Sequence, residues 1–349
     1  MRYVNSNTFG KGEIMRTRTL GVVVLGTAMA TTSLARPSLA EVKVTKVTYM
    51  NQPNCYKLSN GRVEVIVTTN IGPRIIRYGF VGGENILGEH PAAAVKTTLG
   101  TWKPWGGHRL WTAPEAMPRS YSPDNSPIKF KLEGKNTIRL TQPTEPKTGF
   151  QKEMVVTLDP GGSHVRVLHR LTNRNQRTIN IAPWALTIMN GNGGGTAIIP
   201  QEPYRAHSAY LLPARPMVFW HYTDLSDPRW RIGKKYIRLR AVPTRTTPQK
   251  VGVMNKQGWA AYHRRNTLFV KRYPHKAGAS YPDYGCNTET FTNGNFIEVE
   301  TLGHLENLQP SATSEHIEHW HLFRNVSIGN SEASLDRVIK PLLARTAAP

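Results

Sequence analysis

Acidic residues and cysteines are scarce in this chain of 349 residues: 23 Asp and Glu stand against 45 Lys and Arg, with 2 cysteines. Two cysteines exclude a disulfide framework and a cysteine-rich zinc module; whether Cys55 and Cys286, 231 positions apart, form a single bridge stays open. Long apolar runs are missing too. The run Leu20 to Ala30 has 11 residues, short of the ~20 that a spanning helix needs. Long amphipathic helices are absent except over Ser331 to Ala344, which excludes a helical bundle. There is no Gly-x-Ser-x-Gly elbow and no Cys-His nucleophile arrangement, and the Gly191-Asn-Gly-Gly-Gly195 run lacks the Lys-Ser/Thr of a phosphate loop. The charge of +22 raises nucleic acid as a partner, but no zinc-finger, helix-turn-helix or RNA-recognition signature accompanies it. No nucleic-acid partner is expected.

What is present begins with a targeting pattern. Met15-Arg16-Thr-Arg18 is a basic n-region, Leu20 to Ala30 an apolar h-region, and Ser38-Leu39-Ala40 a small-x-small cleavage site. Residues 1–40 therefore read as a signal peptide, with Met15 an alternative start, and the protein as periplasmic or secreted. Cleavage after Ala40 leaves 40 basic against 22 acidic residues, dispersed along the chain. Such a surface favours anionic surroundings, an acidic polysaccharide among them.

From Glu41 onward short alternating runs dominate: Arg62 to Thr68, His164 to Leu168, Thr178 to Ile181 and Phe296 to Thr301. Asn60-Gly61, Gly82-Gly83, Gly161-Gly162, Gly193-Gly194-Gly195 and Asn293-Gly294 punctuate them as turns. Residues 203–216 and 241–249, rich in proline, read as long loops. The expectation is an all-β single domain over 41–330, a large antiparallel sandwich, with a short helical tail over 331–349.

Residues 102–127 concentrate chemistry. Trp102, Trp105, Gly106, Gly107, His108, Arg109, Trp111, Glu115, Tyr121 and Asp124 follow within one stretch. Flat aromatic faces with planar hydrogen-bonding groups between them suit a sugar ring, which has an apolar C–H face and a hydroxyl rim. On the last strand His319 and His321 share a face by alternation, and His316 lies nearby. A metal reading needs a third ligand and an ordering shell that the sequence does not supply. No metal and no other cofactor is expected.

The order of motifs resembles the galactose mutarotase-like superfamily, aldose epimerases included. Leu58 to Val67 followed by Ile71-Gly-Pro-Arg74-Ile-Ile-Arg-Tyr78 is similar to its opening strand pair. Trp105-Gly-Gly-His-Arg-Leu-Trp111 is similar to its His-Gly-Gly region. Leu171-Thr-Asn173 through Ala182-Pro-Trp184-Ala-Leu-Thr187 corresponds to the segment that bears a second histidine. Phe296 to Thr301 and Leu308 to Trp320 resemble its closing strands. The resemblance spans about residues 44–328 and implies a β-supersandwich whose concave sheet binds a saccharide. It implies a histidine acid and a glutamate base that open and reclose a pyranose.

On that basis His108 is the candidate acid, and Glu300 or Glu289 the candidate base. Arg74, Trp105, Arg109, Glu115 and Trp184 are the candidate substrate ligands. Guanidinium forks suit hydroxyls or a carboxylate, and a carboxylate facing a dry sheet has the raised pKa a base needs. The chain departs from the family where Trp184 and its neighbours offer no second imidazole. Three readings remain: a carbohydrate-binding protein, an isomerase of the mutarotase kind, and a polysaccharide lyase acting on an acidic glycan. For the lyase Tyr121 and Tyr284 are available.

Overall fold

Alternation along each strand gives a sheet two distinct faces, and the two sheets bury one apolar face of each against the other. The computed structural model describes residues 41–90 and 92–346; the expected leader at 1–40 lies outside the described residues. One sheet has 11 strands. Its order is Lys43–Tyr49, Gln52–Ser59, Val63–Val67, Arg74–Phe80, His108–Ala113, Ile179–Asn190, Phe296–Leu302, Thr288–Thr292, Gln249–Val253 and Met217–Phe219, with Glu306–Leu308 pairing off the Ile179–Asn190 strand. The second sheet has 10 strands, with Phe150–Leu158, Val165–Asn173, Thr313–Phe323, Thr267–Arg272 and Trp259–Arg264 in its middle. All pairings within the two sheets are antiparallel. The protein is an antiparallel β-sandwich, as the patterning predicts.

Between the sheets Val63, Val65, Val67, Ile75, Leu110, Ile297 and Val299 meet Met154, Val156, Val165, Val167, Phe269 and Trp320 in one apolar core. The odd-and-even rule then fixes the other face of the first sheet. If Ile75, Leu110, Val251, Ile297 and Val299 point inward, then Arg74, Arg109, Lys250, Glu298 and Glu300 point outward. On the outer face of the second sheet, Ile198, Tyr236, Trp259, Leu268 and Val270 are covered by Leu335 and Ile339. Those last two belong to the helix Glu332–Leu343, capped by Ser331, whose side chain accepts from the Ser334 N–H. The Ser331 to Ala344 pattern thus forms a helix whose apolar stripe seals the sandwich.

Cys55 and Cys286 are both buried free thiols, so no bridge joins them. No helix among the described residues is long and apolar enough to cross a membrane.

Candidate active site

Three adjacent strands of the first sheet carry the site. Glu289 and Glu300 are cross-strand partners between Thr288–Thr292 and Phe296–Leu302, and Phe291 faces Glu298 two pairs further on. Lys250 comes from Gln249–Val253, on the other side of Glu289's strand. Its Nζ lies 2.8 Å from Glu289 Oε2 and 3.3 Å from Glu300 Oε2. Both carboxyls are fully buried, and Glu289 Oε1 and Glu300 Oε1 have no hydrogen-bond partner among the described residues. The Trp184 indole N–H donates to Glu300 Oε2 at 2.9 Å. Lys250 Nζ sits 4.7 Å from the Trp184 ring and 4.5 Å from the Trp220 ring, so an aromatic sandwich holds the ammonium.

One ammonium cannot neutralise two buried carboxylates. Burial drives both acids up, Lys250 pulls both down, and mutual repulsion keeps one protonated. Glu289 is pushed well above the ordinary carboxylate range, first by burial. Burial raises Glu300 to about 7, with Lys250 opposing. A carboxylic acid and a carboxylate therefore stand side by side near neutrality. That is the pairing general acid–base chemistry requires.

The surroundings come from distant segments. Arg109 donates to Glu298 Oε1 at 3.0 Å and lies 4.5 Å from the Trp111 ring, with its Nε and Nη1 unpartnered among the described residues. Glu115 is exposed at the rim and accepts from the Tyr121 hydroxyl at 2.5 Å. Its charge is within electrostatic reach of Lys250, Glu300 and Tyr222. A cavity of about 390 Å³ lined by Val218, Phe219, Trp220, His221, Asp283 and Tyr284 adjoins the carboxylates through Asp283. Asp283 interacts with Glu289, and burial raises its carboxyl. Tyr284 is 95% exposed.

Three expected ligands stand elsewhere. His108 has the opposite parity to Arg109 on its strand, so it points between the sheets, fully buried, and cannot reach a ligand over Glu300. Its Nδ1 is 2.8 Å from Thr187 Oγ1, and its Nε2 is 2.6 Å from His169 Nε2. Arg74 shares the outward face, but its guanidinium is engaged by Asp124, both of whose carboxylate oxygens accept from Nη2, and by the carbonyls of Lys103 and Pro104. It ties together the segments on either side of the His108–Ala113 strand, Lys103-Pro104 before it and Asp124 after it. Trp105 donates to Asn125 Oδ1 at 3.2 Å across the same two segments. Trp184 belongs to the site, yet it is buried and orients Glu300 where the sequence suggested an open stacking face.

The Gly106-Gly107 pair also has a packing cause. Both have positive φ, and a Cβ on either would lie 2.1 Å from a carbonyl oxygen, that of Gly88 or Ile75. Only glycine allows strands to cross so closely.

Around His108 lies a second polar cluster, between the sheets. Lys271 Nζ is 2.8 Å from Glu318 Oε1 and donates to Thr187 Oγ1 at 2.7 Å and to the Val299 carbonyl at 2.9 Å. Because Thr187 accepts from Lys271, its own proton is free for His108 Nδ1. His108 Nε2–H then donates to His169 Nε2, and His169 Nδ1–H to the His316 carbonyl at 2.9 Å. Burial lowers all three imidazoles, His316 to about 3, so each is neutral. Burial opposes ionisation of Glu318, but the Lys271 ammonium at 2.8 Å outweighs it. His108, His169 and Glu318 present ligand atoms within 4.8 Å of one another, a possible metal donor set. Every one of those atoms already has a protein partner.

Lys250, Trp220, Asp283, His169, Lys271 and Glu318 escaped the sequence reading. Lys250 and Lys271 look like ordinary strand lysines. Their strands' alternation, once the inward parity is known, was the available signal.

No family model matches the sequence, and neither does any curated protein. Solved structures do match. The candidate mutarotase YeaD from Salmonella typhimurium is similar over 81% of this chain and 94% of its own, with a TM-score of 0.52 at 12% identity. A protein from Synechocystis sp. PCC 6803 matches over 81% of this chain and all of its own, with a TM-score of 0.50 at 11% identity. A galactose mutarotase-like protein from Lactobacillus casei covers 77% of this chain and all of its own, at TM-score 0.47 and 10% identity. At such identities it is the fold alone that the first two share with this chain, which folds as a galactose mutarotase-like β-sandwich.

Proposed function

We propose that the protein binds a saccharide on the outward face of its first sheet and exchanges anomers there, using Glu289 and Glu300. The observation that carries this is the buried acid–base pair held by one ammonium. Glu300 as carboxylate takes the proton of the anomeric hydroxyl. The C1–O5 bond breaks as Glu289 gives its proton to the ring oxygen, and an open-chain aldehyde forms. Rotation about C1–C2 and the reverse transfers close the other anomer and restore both groups. Trp220, Phe219 and Tyr284 offer ring faces to a sugar in the adjoining cavity. The pair itself lies beneath Lys250 and Trp220, so the ligand enters by displacing that cover.

Anomer exchange of a panel of neutral and acidic aldoses, followed by NMR, tests this. Wild type accelerates exchange of at least one sugar, and Glu300→Gln and Glu289→Gln each lose about 10²-fold or more. No acceleration and no saccharide binding in any panel would refute it. The unpartnered nitrogens of Arg109 favour a second reading, a lyase on an acidic glycan, since proton abstraction beside a uronate needs its carboxylate neutralised. Product absorbing in the ultraviolet from a uronate polymer would select it. Export belongs to the same proposal: the protein recovered from its native host should begin at Glu41, and an intact leader in the cytosol would refute that part.

A further inference from the structure

Far from the carboxylate pair, the outer face of the second sheet carries an arrangement that repels itself. Arg231 and Arg238 are direct cross-strand partners between Trp230–Ile232 and Tyr236–Ala241. Arg240 follows two residues later on Arg238's face, opposite Thr196, whose other neighbour is His263. Like charges placed directly opposite destabilise a strand pair. These residues line a cavity of about 450 Å³ with Pro228, Trp230, Ile328, Gly329 and Asn330, and no carboxylate is among the lining residues.

Arg238 is 8% exposed, and its Nε is buried without a partner among the described residues. Its Nη2 donates to the Asn330 carbonyl at 2.9 Å, and Arg240 Nη2 to the Pro228 carbonyl at 3.0 Å. Neutral carbonyls orient these guanidiniums without cancelling their charge. Glu332 acts on Arg238 electrostatically, but its Oε1 already accepts from the backbone N–H groups of Lys235 and Tyr236. Burial and the neighbouring Arg231 both disfavour the charged form of Arg238.

We propose that this cavity is a binding site for a tetrahedral oxyanion, a phosphate or sulfate group carried by a small molecule. Guanidinium forks match its oxygens in parallel hydrogen bonds. Thr196 and His263 add a hydroxyl and an imidazole, and the volume exceeds a bare ion, leaving room for what the group is attached to. The site is independent of the saccharide reading, because it lies on the other sheet.

Calorimetric titration of the full chain with glycerol 3-phosphate, inorganic phosphate and inorganic sulfate, at ionic strength fixed with sodium chloride, tests this. At least one probe binds saturably at one site per chain. Tighter glycerol 3-phosphate than phosphate identifies an ester ligand, and equal affinities a free ion. Arg231→Gln weakens binding at least tenfold, and Arg238→Gln abolishes it. If Arg238→Gln fails to fold, the exposed pair Arg231→Gln/Arg240→Gln answers in its place by losing binding. No saturable heat from any probe, or unchanged affinity in Arg231→Gln and in the double variant, would overturn the proposal.

Discussion

Glu289 and Glu300 face each other as cross-strand partners, fully buried, with Lys250 Nζ 2.8 Å from one carboxyl and 3.3 Å from the other. The register of two strands sets this, and a third strand supplies the cation. A buried pair of like charges with a single counter-charge resists full ionisation. Its consequences extend to stability as well as to catalysis.

The contribution of Glu300 to stability should fall as pH rises from about 4.5 to about 7, while the buried neutral imidazoles of His108, His169 and His316 contribute in the opposite sense. Glu300 has its folded pKa raised from 4.5 to about 7 by burial, so the native state binds more protons than the unfolded chain across that window. Its contribution is complete below 4.5, declines by on the order of 3 kcal/mol through the window, and is flat above it. Urea unfolding at several pH values measures this. Wild type measured against Glu300→Gln isolates this contribution, because Glu289 and the buried imidazoles titrate in both proteins: the stability of wild type relative to the variant should fall through the window. A difference between wild type and Glu300→Gln that does not change with pH would contradict the assignment.

Lys271 and Glu318 form the ion pair between the sheets, both fully buried. Removing one partner strands the other, so Lys271→Met should cost about 3–5 kcal/mol in urea unfolding at neutral pH. The double variant Lys271→Met/Glu318→Gln should recover a large part of that loss, because no unpaired buried charge remains. Additive losses in the cycle would show that the pair is not coupled.

Gly61 and Gly107 both have positive φ, at +81° and +68°, but differ in what surrounds them. A Cβ on Gly61 meets nothing within 4 Å, whereas one on Gly107 lies 2.1 Å from the Ile75 carbonyl oxygen. Gly61→Ala should therefore cost only the left-handed backbone penalty, about 1–2 kcal/mol. Gly107→Ala should cost several times more or prevent folding. Thermal melts of the two variants compare them, and equal losses would mean that the close strand approach carries no weight.

Cys55 and Cys286 should titrate as two thiols after denaturation without reductant, and resist modification in the native state. Both are buried, and burial pushes both thiols up, so little thiolate exists near neutrality. Recovery of no thiol from unreduced, denatured protein would establish a bridge.

Local patterning alone determined the strand-rich sandwich, the C-terminal helix, and the fact that Glu298 and Glu300 share one face of their strand and Glu289 and Phe291 one face of theirs. Alternation with a period of two is a local property, written into each strand by its own residues. What alternation leaves undecided is which face is inward. His108 beside Arg109 carries no label of parity, and packing of Leu110 and Ile75 into the core turned the imidazole inside and the guanidinium out. The pairing of Lys250 with Glu289 and Glu300 joins residues up to 50 positions apart through strand order. Arg74 likewise became a clamp for Asp124 because a loop returned across its strand. Local chemistry named the participants, and only the burial of one face of each sheet decided which of them meet.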